Sequence, residues 1–388
     1  VRLTVRLKNL AYVFLLCTVS ASSIAYTISP KDDIHEAFTR AAKTCFDEAV
    51  LKGEKPTECA GSVADADDVD TAWIRNSTLA WYDVIGRLRR LSGADARFPT
   101  LEEAVRWPDD PTRQIGVLGV VKFGVNMLSD CDKYIHDNPL GINDINDGLL
   151  CSSHFGVMQF FHSQASQVGE PYETTILKIK AWAALLFNIG AGRLSDAELD
   201  TEYCSFFSGE DALSKAMLPN QQAVPCEKKK DPKWRLTTLF TFKCPNPLSS
   251  VGCYEETGQS RFDKTRIYAA GALLHLVQDS FSQSHVERGE CEVRGDKVKA
   301  KIECLPASGF TTYRGQIKHD EADRRPTFAN SCSEENGMDD PITASAKVLW
   351  HLHSTKDLKE FQKDFDAIFG NESPERPATL GICFTTPQ

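Results

Sequence analysis

The chain has 388 residues, 41% of them hydrophobic and 25% charged, enough to bury a sizeable core. Its 54 acidic residues outnumber 44 basic ones, and the net charge of −10 gives little general attraction for polyanions, which weighs against processive nucleic-acid binding. No run reaches the roughly 18–20 apolar residues that a membrane span requires.

Residues 1–25 read as an export signal. Arg2, Arg6 and Lys8 make a positive start, Leu10 to Val19 form an apolar stretch too short to span a membrane, and Ser23-Ile-Ala25 ends in small residues suited to cleavage. A cut after Ala25 makes Tyr26 the first mature residue, and a cut after Ala21 is the alternative. It also moves the net charge from −10 to −13, because the removed segment holds three basic residues and no acidic one. The expectation is a secreted or periplasmic bacterial protein, and cysteine use agrees. Beyond Cys17, twelve cysteines remain, an even number without a Cys-x-x-Cys pair, which points to disulfides rather than zinc thiolates or a redox dithiol. Cys291/Cys304 and Cys244/Cys253 are the natural local staples.

Helical periodicity begins at Asp33-Ile-His-Glu-Ala-Phe and places His35 on the first turn. Further helices are predicted over 70–91, 113–129, 173–190, 264–280 and 344–369. The stretch Ala181-Trp-Ala-Ala-Leu-Leu-Phe187 is apolar all round, as a central buried helix is. From about 196 to 259 the periodicity weakens while Pro, Gly, Lys and four cysteines accumulate, the mark of an insertion. Within it, Glu227-Lys-Lys-Lys-Asp-Pro reads as a solvated loop. Strand signals are confined to Leu236–Lys243 and Val293–Cys304. The predicted fold class is mainly α, a helical bundle with long, disulfide-tied loops.

The chemistry concentrates in Gly271-Ala-Leu-Leu-His275-Leu-Val-Gln-Asp279-Ser-Phe-Ser-Gln-Ser-His285. His275 and Asp279 are four apart and project from one helix face, a spacing that can clasp one metal ion or bridge two. His285 joins them only if the chain turns at the polar Ser280-Phe-Ser-Gln-Ser run. His319 and Asp323 repeat the one-turn spacing downstream. Upstream, Asp147 lies fifteen residues before His162. With His35 these are all nitrogen or oxygen donors suited to zinc. No phosphate loop, nucleophile elbow or dinucleotide fingerprint competes with them. His154 is the second choice to His162, and Asp144 to Asp147. His136 reads as a surface turn residue, and His351 and His353 flank Leu352 and cannot face one point. Trp182, Phe160 and Phe161 read as core.

This order and spacing resemble the zinc-dependent phospholipase C/P1 nuclease superfamily. The resemblance is carried by His275-x3-Asp279-x5-His285, His319-x3-Asp323, Asp147-x14-His162 and His35, and it spans about 26–325. It implies a mainly helical fold holding three clustered Zn2+ ions. Asp147, His162, His275 and Asp279 would share one; His285, His319 and Asp323 the second; His35 and the Tyr26 terminus the third. Residues 26–335 would form the catalytic domain, interrupted at about 196–259, and 336–388 a C-terminal helical extension.

The implied activity is phosphoester hydrolysis by zinc-activated water, with Asp147 as the catalytic carboxylate. Phospholipase C action on a phospholipid comes first, with transient contact at a membrane surface and no stable nucleic-acid partner. A P1-like single-strand nuclease or 3′-nucleotidase is the other enzyme reading. A metal-stabilised binding protein without turnover is the third. The chain departs from the family's pattern in three places: Tyr26 stands for tryptophan, Gln278 for the glycine before the central Asp, and Gln283-Ser284 for Pro-Leu before the following His.

Overall fold

The computed structural model describes residues 34–59, 99–109, 131, 145–218, 234–243, 254–289, 292–294, 297–299, 301–313, 316, 327–328, 332, 338–370 and 374–381. The export signal, Tyr26, the helices expected over 70–91 and 113–129, His136, Asp144, the Glu227 run, His319 and Asp323 lie outside them. Helix dominates the described residues, and strands occur there only as short two-stranded pairings.

The organising element is α9 (Ser260–Asp279), buried from Ala272 through Asp279. Around it pack α1 (Ile34–Lys52), α2 (Leu101–Val105), α4 (Tyr172–Gly190), α8 (Leu236–Thr241) and α10 (Pro341–Trp350). Between α2 and α4 in the chain lies α3 (Ile145–Phe155), followed by a 3-10 turn, Gln159–His162. Short helices α5 (Asp196–Leu199), α6 (Tyr203–Phe206) and α7 (Ala212–Met217) precede α8, and α11 (Leu358–Phe369) packs on α4. An aromatic stack forms the core beneath α9. Phe161 lies flat on Trp182 with ring centroids 4.2 Å apart, and Trp107 meets Phe240 at 4.8 Å.

Three expectations are corrected. Leu236–Thr241 is a helix, and only Phe242–Lys243 pair as a strand, β1, with β2 (Tyr254–Glu255). Its β-branched threonines favour a strand, but Leu236, Leu239 and Phe240 fall at helical spacing and are fully buried, so packing overrides propensity. The C-terminal helix expected over 344–369 is two helices, parted by a π turn at His351–Thr355 and by Lys356 in the left-handed region. Asp357 starts the second by accepting from the backbone amides of Lys359 and Glu360. Finally, Cys304 pairs with Cys332 rather than Cys291, beside Cys45–Cys59 and Cys131–Cys151. These bonds suit an oxidising, extracellular compartment. No described helix is long and apolar enough to cross a membrane.

Two contacts set where α9 and its following turn end up. At Gly271 an added Cβ would stand 2.3 Å from the Ala104 carbonyl carbon, so the glycine lets the α2 backbone touch α9 directly. Beyond α9, the fully buried Arg288 donates to the carbonyls of Ser280 (2.9 Å), Ile368 (2.8 Å) and Leu305, with its guanidinium over the Phe281 ring. It ties the turn after α9 to α11, and burial lowers its pKa to about 10. A Gly271→Ala substitution is expected to cost about 1–3 kcal/mol through overpacking. Urea denaturation followed by tryptophan fluorescence checks this; an unchanged midpoint would remove the close approach as a constraint.

Candidate metal centre

The last turn of α9 presents His275 and Asp279 one above the other, with His275 Nε2 2.9 Å from Asp279 Oδ2. Five other segments bring donors to the same region. His35 comes from the first turn of α1 and His162 from the end of the 3-10 turn. His285 returns because the chain turns at Ser282, whose carbonyl accepts from the His285 amide at 3.0 Å. Asp109 follows α2, and His154 lies on α3. All these side chains are buried to 1% exposure or less.

The backbone sets the state of the imidazoles. His275 Nδ1–H donates to the Val105 carbonyl at 2.8 Å, His285 Nδ1–H to the His162 carbonyl at 2.6 Å, and His154 Nδ1–H to the Leu150 carbonyl at 3.0 Å. A carbonyl only accepts, so each ring keeps its proton on Nδ1 and, when neutral, presents a lone pair at Nε2. Burial lowers the pKa values of His162 and His275 to about 4. It also opposes ionisation of Asp279, but the charges that His275 and His285 carry when protonated, and the hydrogen bonds that His162 and His275 then donate, outweigh it and hold that carboxyl well below its usual range. At neutral pH the His275 lone pair therefore faces a carboxylate oxygen. A cation between them removes that conflict.

The donor spacing fits one. His162 Nδ1 lies 3.0 Å from both Asp279 Oδ2 and His275 Nε2, and Asp109 Oδ1 lies 3.6 Å from His275 Nε2 and 3.9 Å from His162 Nδ1. Donors about 2.0–2.1 Å from a tetrahedral ion stand roughly 3.3 Å apart. On the other side of the same carboxylate, His35 Nε2 is 3.3 Å from Asp279 Oδ1 and its ring stacks on His275. The two oxygens of Asp279 thus face different histidines, as in a bridging carboxylate. A neighbouring set forms where His154 Nε2 comes within 4.0 Å of Asp109 Oδ1 and its ring lies 4.6 Å from that of His162. His162 Nε2 is buried there without a hydrogen-bond partner among the described residues. Two buried groups, His35–His275–Asp279 and Asp109–His154–His162, can each hold a metal ion.

Of the expected residues, His35, His162, His275, Asp279 and His285 come together. His35 faces Asp279 directly, while Tyr26, expected to share its ion, lies outside the described residues. Asp147 is on α3, seven residues before His154, and its side chain is not among those described. The second carboxylate beside His162 and His275 is Asp109, which is not among the expected ligands. Nothing in Trp107-Pro-Asp-Asp marks it as a ligand, because its place depends on α2 lying against Gly271. His154, ranked behind His162, is present together with it. Compared with protein-family models, curated proteins and solved structures, the chain gives no match.

The buried imidazoles make stability depend on pH. Between pH 6.5 and about 4 an unfolded histidine takes up a proton that buried His162 and His275 refuse. The unfolded chain then binds more protons, so stability falls as pH falls through that window. His35 works the other way: burial opposes its cation, but the hydrogen bond and charge of Asp279 outweigh this and raise its pKa. For chelator-treated protein, the urea midpoint is expected to drop between pH 6.5 and 4. A flat or rising midpoint would show that these two rings are not held neutral.

Proposed function

We propose that the chain is an exported, zinc-dependent phosphoester hydrolase with phospholipase C-like activity. The observation that carries this reading is the convergence of His275 Nε2, His162 Nδ1 and His35 Nε2 on the buried, ionised Asp279 carboxylate. A donor set of imidazole and carboxylate without thiolate suits zinc. Asp109, His162, His275 and Asp279 would hold one ion, and His35 with Asp279 another. His285, with His319 and Asp323 as the resemblance implies, would extend the cluster. Zinc bound there supplies Lewis-acid charge to a phosphoryl group and lowers the pKa of water toward about 7.

The chain's own part is to hold these donors buried, away from bulk solvent, where their charge acts more strongly. Asp279 stays ionised and ties two positions together. Asp109, and Asp147 by the resemblance, are the carboxylates available to orient an attacking water. The charge of −13 expected after signal removal disfavours a polyanionic substrate, which places the phospholipid ahead of single-stranded nucleic acid.

Purified protein is expected to carry at least two zinc ions per chain by metal analysis. It should release phosphocholine from phosphatidylcholine vesicles, lose that activity to a chelator and regain it with zinc. Asp279→Asn should lower both zinc affinity and turnover by at least about 100-fold. Chelator-sensitive cleavage of single-stranded DNA instead of lipid would select the nuclease reading. Retained zinc with neither activity would select a metal-stabilised binding protein, and fewer than two zinc ions would count against the cluster itself.

A further inference from the structure

His154, His275 and His285 are oriented by backbone carbonyls, but His35 is oriented by a side chain. Gln278, fully buried on α9 beside Asp279, accepts at Oε1 from His35 Nδ1–H at 2.7 Å. Its amide nitrogen donates to Thr39 Oγ1 at 3.0 Å and lies 3.5 Å from Ser345 Oγ. Thr39 stands one turn beyond His35 on α1, and Ser345 belongs to α10; both are fully buried. The Gln278 amide thus lies with its oxygen toward the imidazole and its nitrogen toward the two hydroxyls. With oxygen toward His35, the neutral ring carries its proton on Nδ1 and turns a bare Nε2 to Asp279 Oδ1. With the amide reversed, Nδ1 would have to be bare and Nε2–H would point at the carboxylate, which closes that nitrogen to a metal.

We propose that Gln278, held by Thr39 and Ser345, is the positioning residue that makes His35 a metal ligand through Nε2, so that α10 forms part of the support of the centre. Replacing Gln278 changes no backbone contact and no metal-facing atom, yet it removes the acceptor that sets the tautomer. The zinc part of the test rests on the metal reading given above, whereas the tautomer part does not.

Nitrogen-15 NMR of the imidazoles in the metal-stripped full chain at pH 8.5, with His35 assigned by His35→Gln, reads the tautomer directly. The wild type is expected to show Nδ1–H, and Gln278→Leu, similar in volume, a mixture of tautomers. Gln278→Glu, which keeps the acceptor, should restore the wild-type pattern. Ser345→Ala, farther from the ring and the safer variant for folding, should give a partial shift. In zinc titrations, Gln278→Leu should weaken one equivalent by about 10–100-fold and leave another within about twofold, with rescue by Gln278→Glu. An Nε2–H tautomer in the wild type would overturn the proposal. So would a Gln278→Leu variant that binds every zinc equivalent as the wild type does. If the wild type binds no zinc at all, the metal reading fails and the tautomer result alone decides the role of Gln278.

Discussion

An ionised carboxylate buried among imidazoles is the constraint on which this structure turns. Asp279 has no exposure, and His275 Nε2, His162 Nδ1 and His35 Nε2 all lie within 3.3 Å of its oxygens. Removing a charge from water is costly unless opposite charge or hydrogen bonds replace the solvent. His275, whose proton is committed to the Val105 carbonyl, replaces it poorly by itself, because its remaining nitrogen offers a lone pair. The same features make a good site for a divalent cation, which satisfies the carboxylate and the lone pairs at once. Stability and metal binding are thus two descriptions of one cluster.

Much of the surrounding architecture keeps that cluster in register. Gly271 allows α2 to approach α9 closely enough for the Val105 carbonyl to reach His275, and the same approach delivers Asp109. Arg288 fastens the turn after α9 to three carbonyls on separate segments. Behind the turn, the Ser284 carbonyl accepts from Gln164, Thr311 and Gln316, so His285 follows a tightly held segment. Ligands borne by such tightly held segments lose little freedom when an ion binds.

How much of this could be read in advance depended on the range of the interaction. His275 and Asp279 were legible because helix geometry alone puts residues four apart on one face. The return of His285 was foreseen as a conditional, since a polar run permits a turn without requiring one. His154 and His162 competed in the sequence because spacing favours one partner, whereas in space α3 and the following 3-10 turn bring both rings together. Asp109 left no trace, for its neighbours carry no ligand pattern and its position comes from a contact more than 160 residues away in the chain. The α8 segment failed for the opposite reason: a clear local propensity was overruled by burial against α9.

By itself the sequence determined the mainly helical character, the disulfide-forming chemistry and the identity of five residues that meet at the centre. Helical character, disulfide chemistry and the His275–Asp279 pair follow from local periodicity, cysteine number and the i, i+4 rule, which act over a turn or two of chain; His35, His162 and His285 rest on the resemblance in order and spacing. Only the tertiary structure decided that Asp109 joins them, that Asp279 faces His35 as well as His275, and which ring nitrogen each histidine presents. Those outcomes depend on backbone carbonyls and a glycine contact contributed by distant segments, and no short stretch of sequence contains both partners.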